Sequence, residues 1–232
     1  MNKCEVKTYK PIGPINSYAY FIGANPSTSF NHISRHPTID KTSFIGPFSS
    51  VIGDVRINKN VFVGCNVVLR ADEGTPFYIG CNSNVQDGVI LHGLKHMQFT
   101  VNGKKYSIYI GNETSLAHGA LIHGPCIIGN NVFIGFNAIV FNAIVEDKCY
   151  IDTAAIVTGG VRLRANSYVP TGAIIDTQKK ADELGAVPQS QEDFAKSVVE
   201  VNVELSSAYS LKFGDTHCSC GLCCDRNTLI HD

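Results

Sequence analysis

Aliphatic residues recur at every sixth position over most of the chain. They form four series that differ in phase, from Ile39 to Leu69, from Ile79 to Leu91, from Ile110 to Val140 and from Val145 to Ile175. A repeat of this kind is the sequence signature of a solenoid. Period six does not keep to one face of an α-helix, which repeats every 3.6 residues, so the pattern predicts short strands.

Small or β-branched residues form a second column, four positions after the aliphatic one. The exceptions stand where the period breaks or ends, at Glu73, Lys95 and Lys179. Three hexapeptides then complete one coil of a three-sided prism, with the aliphatic side chains inside and the coils hydrogen-bonded at about 4.8 Å. We therefore expect an all-β fold, a parallel β-helix of hexapeptide repeats over residues 39–176.

Two interruptions of the repeat predict loops at neighbouring corners of the prism. One is residues 70–77, and the other lies between Leu91 and Ile110 as a loop of about a dozen residues around Lys95–Lys105. Loops on a rigid scaffold are candidate walls of a site. Residues 1–38 predict an irregular N-terminal arm, and residues 178–211 predict a C-terminal helix packed on the prism.

Residues 212–232 predict a flexible tail. It contains four of the nine cysteines, Cys218, Cys220, Cys223 and Cys224. This spacing fits no single metal-binding template, so free thiols, a metal or cluster site and a redox-sensitive bridge all stay open for the tail.

Composition excludes several classes of partner. The 232 residues have a formal net charge of −1, which gives no electrostatic attraction to nucleic acid or to an anionic membrane. No apolar run is long enough to span a bilayer, and the first ten residues lack the apolar stretch of a secretory signal. We expect a soluble, cytoplasmic protein with no nucleic-acid or membrane partner.

Three histidines occupy informative places in the repeat. His92 follows Leu91 and His123 follows Ile122, so both side chains point outward if the aliphatic residues point inward. Counting coils places them on one outer face, one coil apart, with Arg70 beside His92. His118 belongs to a different face, where Asp87 stacks against it and Gln86 lies alongside.

The outward directions on two faces of a triangular prism diverge by about 120°, so one chain cannot bring all three imidazoles together. Three prisms side by side can, with His92 and His123 of one subunit meeting His118 of the next. This arrangement predicts a homotrimer with one metal site at each interface. Three neutral imidazoles with an open fourth position are the donor set of a catalytic zinc.

Three strings of the sequence resemble gamma-class carbonic anhydrases, and in particular the anhydrase-like domain of carboxysome scaffold proteins. They are residues 70–76 (RADEGTP), 84–93 (NVQDGVILHG) and 115–125 (SLAHGALIHGP). The resemblance covers about residues 35–210. It implies a left-handed coil, a homotrimer, and a lyase that hydrates CO2 reversibly to bicarbonate and a proton.

The resemblance also implies the ligands and the metal. His92, His118 and His123 would bind Zn²⁺, with Fe²⁺ as the alternative ion in the cell. Gln86 would hydrogen-bond the catalytic hydroxide.

Five further residues acquire roles by the same resemblance. Glu73 would pass protons or orient water beside the site, and Asn202 would line its pocket. Arg70 and Asp87 would form an ion pair between subunits, supported by Asp72. Bacterial microcompartment partners are compatible with the carboxysome resemblance.

One departure from the family pattern leaves other functions open. The most active subgroup has an acidic proton-exit residue in the loop after the first ligand, where this chain has Lys95, and a lysine is a poor proton shuttle at neutral pH. His96 could replace the acid. A scaffold of low or no activity that retains the metal site is the alternative, and a hexapeptide acyltransferase, which typically uses one catalytic histidine, is a weaker one.

Overall fold

The computed structural model describes residues 21–213, and these form a left-handed parallel β-helix with a helical C-terminal part, as the repeat and the resemblance predict. Neighbouring strands on each face are parallel and one coil apart, so that Ser50 pairs with Val68, eighteen residues later. The four cysteines predicted to lie in the tail fall outside the described residues.

The prism has three faces, whose strands are numbered along the chain. The histidine face consists of β1 (Phe21–Gly23), β4 (Ser50–Gly53), β7 (Val68–Ala71), β10 (Ile90–His92), the first half of β15 (Leu121–Ile128), the first half of β17 (Ile139–Val145), β19 (Ile156–Val157) and β22 (Ile174–Ile175). The helix face consists of β3 (Phe44–Ile45), β6 (Phe62–Val63), β9 (Asn84–Val85), β14 (Ser115–Leu116), β16 (Phe133–Ile134), β18 (Tyr150–Ile151) and β21 (Tyr168–Val169).

The third face is continuous with the histidine face, because β15 and β17 run round the corner between them. Its other strands are β2 (Thr38–Ile39), β5 (Val55–Ile57), β8 (Phe77–Ile79), β13 (Ile108–Ile110) and β20 (Arg162–Leu163). The aliphatic column fills the prism, as residues Leu69, Leu91 and Ile122 of three successive coils show by their complete burial. Burial of this column is the main source of stability of the fold.

Two segments are more regular than the sequence analysis expected. Within the arm, β1 extends the histidine face by pairing with β4. Within the loop after β10, β11 (Phe99–Val101) and β12 (Lys104–Tyr106) form an antiparallel hairpin. Asn102 and Gly103 connect these two strands with positive φ angles, which is the Asn-Gly signal of a tight hairpin turn.

Two helices follow the last coil, α1 (Gln178–Asp182) and α2 (Gln189–Phe213). Thr177 caps α1 by accepting a hydrogen bond from the Lys180 N–H. The long helix α2 packs along the helix face, and the Ser206 hydroxyl ties it to the backbone carbonyl of Val61. No helix in the part of the chain that the structure describes is long and apolar enough to cross a membrane.

Candidate metal centre

His92 and His123 lie in contact on the histidine face. They are register partners on β10 and β15, and Arg70 on β7 is the partner of His92 on its other side. The Nδ1 atom of His92 is 3.2 Å from Nε2 of His123, and the two rings cross at 72°. The position that the repeat predicted for all three residues is confirmed.

When both imidazoles are neutral, as metal ligands must be, their hydrogen bonds determine their tautomers. The Gly124 carbonyl can only accept, so His123 donates from Nδ1 over 3.1 Å and its Nε2 holds a lone pair. His92 then donates from Nδ1 to this atom, and its own Nε2 holds the second lone pair. The His92 Nε2 atom is buried and has no hydrogen-bond partner among the described residues.

Charge and burial favour the neutral form of His92. Burial lowers the pKa of the His92 imidazole from its ordinary value, and Arg70 and His123 lower it further by electrostatic repulsion. Glu73 and Asp72 act in the opposite direction and raise this pKa. A neutral imidazole with a buried, unpartnered lone pair is a suitable metal ligand.

Two acidic residues complete this half of the site. Asp72 Oδ1 and Glu73 Oε2 are each 3.6 Å from His92 Nε2. Asp72 also pairs with Arg70 at 3.0 Å within this chain. Glu73 accepts a hydrogen bond from the Lys95 backbone N–H over 3.2 Å, so the loop after β10 restrains the carboxylate.

His118 lies at the start of a turn after β14, on the helix face. Its Nδ1 atom is 3.1 Å from Asp87 Oδ2, and its ring stacks on Phe136 at 5.9 Å. The contact with Asp87 was expected from the repeat. About half of the His118 side chain is exposed, so it is free to meet a group outside this chain.

Gln86 is buried beside His118 and is oriented by two neighbours. Its Nε2 donates to Asn84 Oδ1 over 3.0 Å, and Asn84 donates to the Ser115 hydroxyl over 2.7 Å. Gln86 and Asn202 both line a cavity of about 700 Å³ between α2 and the helix face. Aromatic rings form much of the cavity wall, including Phe44, Phe62, Phe133, Phe136 and Phe194.

The predicted site residues therefore fall into two groups within one chain. The histidine-face group contains Arg70, Asp72, Glu73, His92 and His123, and the helix-face group contains Gln86, Asp87, His118 and Asn202. Among residues 21–213, no group of three or more His, Cys, Asp or Glu side chains could hold a metal ion. In this chain Arg70 pairs with Asp72, so the Arg70–Asp87 pair between subunits stays a prediction, as do the assigned roles.

The sequence analysis missed two residues of the site. Asn84 was detectable, because it stands two positions before Gln86 on a strand and therefore faces the same side. Asn31, which donates to the Asp72 carbonyl over 3.1 Å, was not detectable, because it lies in an irregular segment without a repeat to position it.

Comparison with known proteins identifies the family. Gamma carbonic anhydrase 1, mitochondrial, of Arabidopsis thaliana is 31% identical over 147 residues, which cover 63% of this chain and 50% of that protein. A carbonic anhydrase of Methanosarcina thermophila is 40% identical over 205 residues, which cover 81% of each. The chain belongs to the gamma carbonic anhydrase family.

A further relative is much longer than this chain. The carboxysome assembly protein CcmM of Nostoc sp. is 43% identical over 196 residues, which cover 84% of this chain but 35% of that protein. The chain thus spans about a third of the length of this relative. No protein-family model matches the chain.

Solved structures support the fold alone. A Bacillus cereus protein described as an acetyltransferase superposes with a TM-score of 0.65 at 20% identity, over 77% of this chain and 94% of that one. A hexapeptide transferase family protein of Anaplasma phagocytophilum gives a TM-score of 0.62 at 23% identity, over 75% and 93%.

Proposed function

We propose that this gamma carbonic anhydrase relative catalyses the reversible hydration of CO2 to bicarbonate and a proton, at a metal site between the subunits of a homotrimer. The observation that carries the proposal is the His92–His123 pair, with its buried lone-pair nitrogen. The carbonic anhydrase of Methanosarcina thermophila, 40% identical over most of both chains, supports the same reaction.

The exposed apolar column of the histidine face supports association of copies. On the six strands from β7 to β22, the outward position two residues before the histidine register is aliphatic, at Val68, Ile90, Leu121, Ile139, Ile156 and Ile174. Ile90 is 41% and Ile174 is 52% exposed in the single chain. A second copy that covers this column would remove apolar surface from water and bring its own helix face, with His118, against His92 and His123.

The residues present fit a divalent metal. His92 and His123 of one subunit and His118 of the next would hold it, and three neutral imidazoles most typically bind zinc, with ferrous iron as the alternative. When bound, such a metal supplies a Lewis acid that makes hydroxide available from water near neutral pH.

The surrounding residues of this chain would handle substrate and proton. Gln86, oriented through Asn84, would donate a hydrogen bond to the oxygen that attacks CO2. The aromatic wall of the cavity suits an apolar gas, and Asn202 would add a polar contact there for bicarbonate. Glu73 is partly exposed and lies near His92, so it could take the released proton towards solvent, with His96 on the exposed loop as a second acceptor.

The test is stopped-flow CO2 hydration on anaerobically purified protein with its metal content measured. We expect one metal per subunit and a loss of activity in His118→Ala. A mixture of His92→Ala and His118→Ala chains, reassembled together, regains activity, because each mixed trimer contains one intact interface and equal mixing restores about a quarter of the sites. A mixture of His92→Ala and His123→Ala is the matched control and stays inactive, because both changes affect the same side of the interface. Recovery in the control, or none in the test mixture, would contradict the shared site.

A scaffold function is the second candidate. The carboxysome assembly protein of Nostoc sp. is 43% identical over most of this chain, and Lys95 occupies the loop in which the resemblance implies an acid. In this case the trimer would bind carboxysome components, in the cytoplasm or within a microcompartment. A metal-loaded trimer that hydrates CO2 no faster than buffer would favour this function over catalysis.

A further inference from the structure

Ser107 lies at the corner where the strands of the histidine face end, directly behind the candidate site. Its N–H donates to the Pro76 carbonyl and its own carbonyl accepts from the Cys126 N–H, both at 2.9 Å. The backbone of Ser107 is therefore tied to the coils on both sides of it. The side chain is completely buried, and its hydroxyl has no hydrogen-bond partner among the described residues.

Three glycines pack against this side chain. A Cβ atom on Gly93 would lie 2.4 Å from Ser107 Oγ, one on Gly74 would lie 2.5 Å away, and one on Gly124 would lie 2.9 Å away. Real Cβ atoms do not approach other atoms this closely, so the Ser107 hydroxyl occupies the space that a side chain at Gly74 or Gly93 would need. The hydroxyl contributes volume here, and not a hydrogen bond between side chains.

Each of these glycines directly follows a residue of the histidine-face group. Gly74 follows Glu73, Gly93 follows His92 and Gly124 follows His123. Gly74 and Gly93 are joined directly, because the Gly74 N–H donates to the Gly93 carbonyl over 3.0 Å. The Ser107 side chain packs against both of these backbones and against Gly124, so it fills the space behind all three site residues. Gly93 and Ser107 are also the two ends of the loop that contains Lys95, so the same contact closes the base of this loop.

We propose that Ser107 is a positioning residue that sets the separation of His92, His123 and Glu73 through the three glycines. This inference rests on the proposed function for its consequence, which is tight metal binding. It differs from a stabilising role because the hydroxyl makes no hydrogen bond within residues 21–213 that the substitution would remove. Outer-shell groups that hydrogen-bond metal ligands typically alter metal affinity by about 10–100-fold when changed, and we expect the packing of Ser107 to act at the lower end of this range.

The test compares Ser107→Ala with Ser43→Ala. Ser43 is also a buried corner serine, but it is distant from the site along the prism and its hydroxyl bonds the Asn58 carbonyl and the Val61 N–H. We expect Ser107→Ala to weaken zinc binding at least tenfold in a chelator competition and to change the melting temperature of the metal-free trimer little. Ser43→Ala should do the reverse, with a lower melting temperature and unchanged zinc affinity.

A second measurement decides the inference without metal. In metal-free protein with ¹⁵N-labelled histidine, Ser107→Ala should shift the ring signals of His92 and His123, while Ser43→Ala leaves them in place. Unshifted signals, unchanged zinc affinity, or a loss of affinity accompanied by an equal loss of metal-free stability would overturn the positioning role. A wild-type protein that binds no zinc would refute the proposed function instead, and the ring signals would still decide the role of Ser107.

Discussion

At His92, burial withdraws the imidazole from water while the Arg70 guanidinium lies on the neighbouring strand, and both effects lower its pKa. The folded chain therefore favours the neutral ring. As the pH falls below about 6.5, the ordinary value for histidine, the unfolded chain takes up a proton more readily than the folded one. The metal-free protein should accordingly lose stability in this direction.

Replacement of Arg70 by glutamine removes one of the charges that lower this pKa. We expect Arg70→Gln to raise the pKa of His92, and with it the pH at which the protein releases its metal. A pH titration of the His92 ring signal in the metal-free protein measures the first effect. Arg56→Gln, on the third face, is the control and should leave the signal unchanged, and an unchanged or lower His92 pKa in Arg70→Gln would contradict the electrostatic argument.

Gln86 depends on a buried amide for its orientation. Asn84→Ala removes the oxygen that accepts from Gln86 and leaves a small cavity, so we expect a loss of CO2 hydration of about 10–100-fold and a stability loss of about 1–3 kcal/mol. Steady-state kinetics and chemical denaturation measure the two effects. Ser115→Ala leaves the Gln86–Asn84 bond in place, and the idea fails if this variant loses as much activity as Asn84→Ala.

At the scale of elements, the contact between α2 and the helix face is formed by stacked rings. Phe133 is nearly fully buried, stacks on Tyr150 with ring centres 4.6 Å apart and meets the edge of Phe194 at 5.5 Å. The Phe44 and Tyr209 rings stack at 4.9 Å further along the same helix. These contacts form one wall of the cavity that contains Gln86 and Asn202.

Removal of the Phe133 ring should therefore weaken the packing between α2 and the helix face. We expect Phe133→Ala to lower the free energy of unfolding by about 3–5 kcal/mol, measured by guanidinium denaturation, because it empties a packed position. Leu211→Ala on the same helix is the comparison, because Leu211 is 86% exposed and should cost less than about 0.5 kcal/mol. Equal losses in the two variants would mean that Phe133 is not part of a packed interface.

At the scale of the whole molecule, the outward aliphatic column predicts how copies associate. Ile90→Glu places a charge in this column two positions before His92, and we expect the proposed trimer to dissociate, because burial of an unpaired carboxylate is costly. Ile127→Glu is the matched control on the third face, where Ile127 pairs with Tyr109 and should stay outside the interface. Sedimentation velocity distinguishes the two, and a trimer that survives Ile90→Glu would place the interface elsewhere.

The period-six column predicted most of the fold because every coil buries an aliphatic side chain at the same positions. It gave the register of His92, His123 and Arg70 on one face and of His118 with Asp87 on another, since one count along the chain determines which way each side chain points. It did not predict β1, the hairpin after β10, or the contact of Asn31 with Asp72, because these depend on partners outside the repeat. Ser107 was also missed, because its role depends on three glycines that are distant in sequence.

The closed base of the loop between Gly93 and Ser107 has a consequence for how such a protein can change over evolution. The Gly74 N–H donates to the Gly93 carbonyl and the Ser107 N–H to the Pro76 carbonyl, so the coils are joined by bonds that do not involve residues 94–106. We therefore expect the loop to tolerate replacement, with the Lys95 N–H bond to Glu73 as its contribution to the site. Its length and chemistry can vary while the spacing of the histidines behind it is preserved. A proton-transferring residue can thus be gained or lost at this position by a single insertion or substitution, which separates the evolution of reaction rate from that of metal binding.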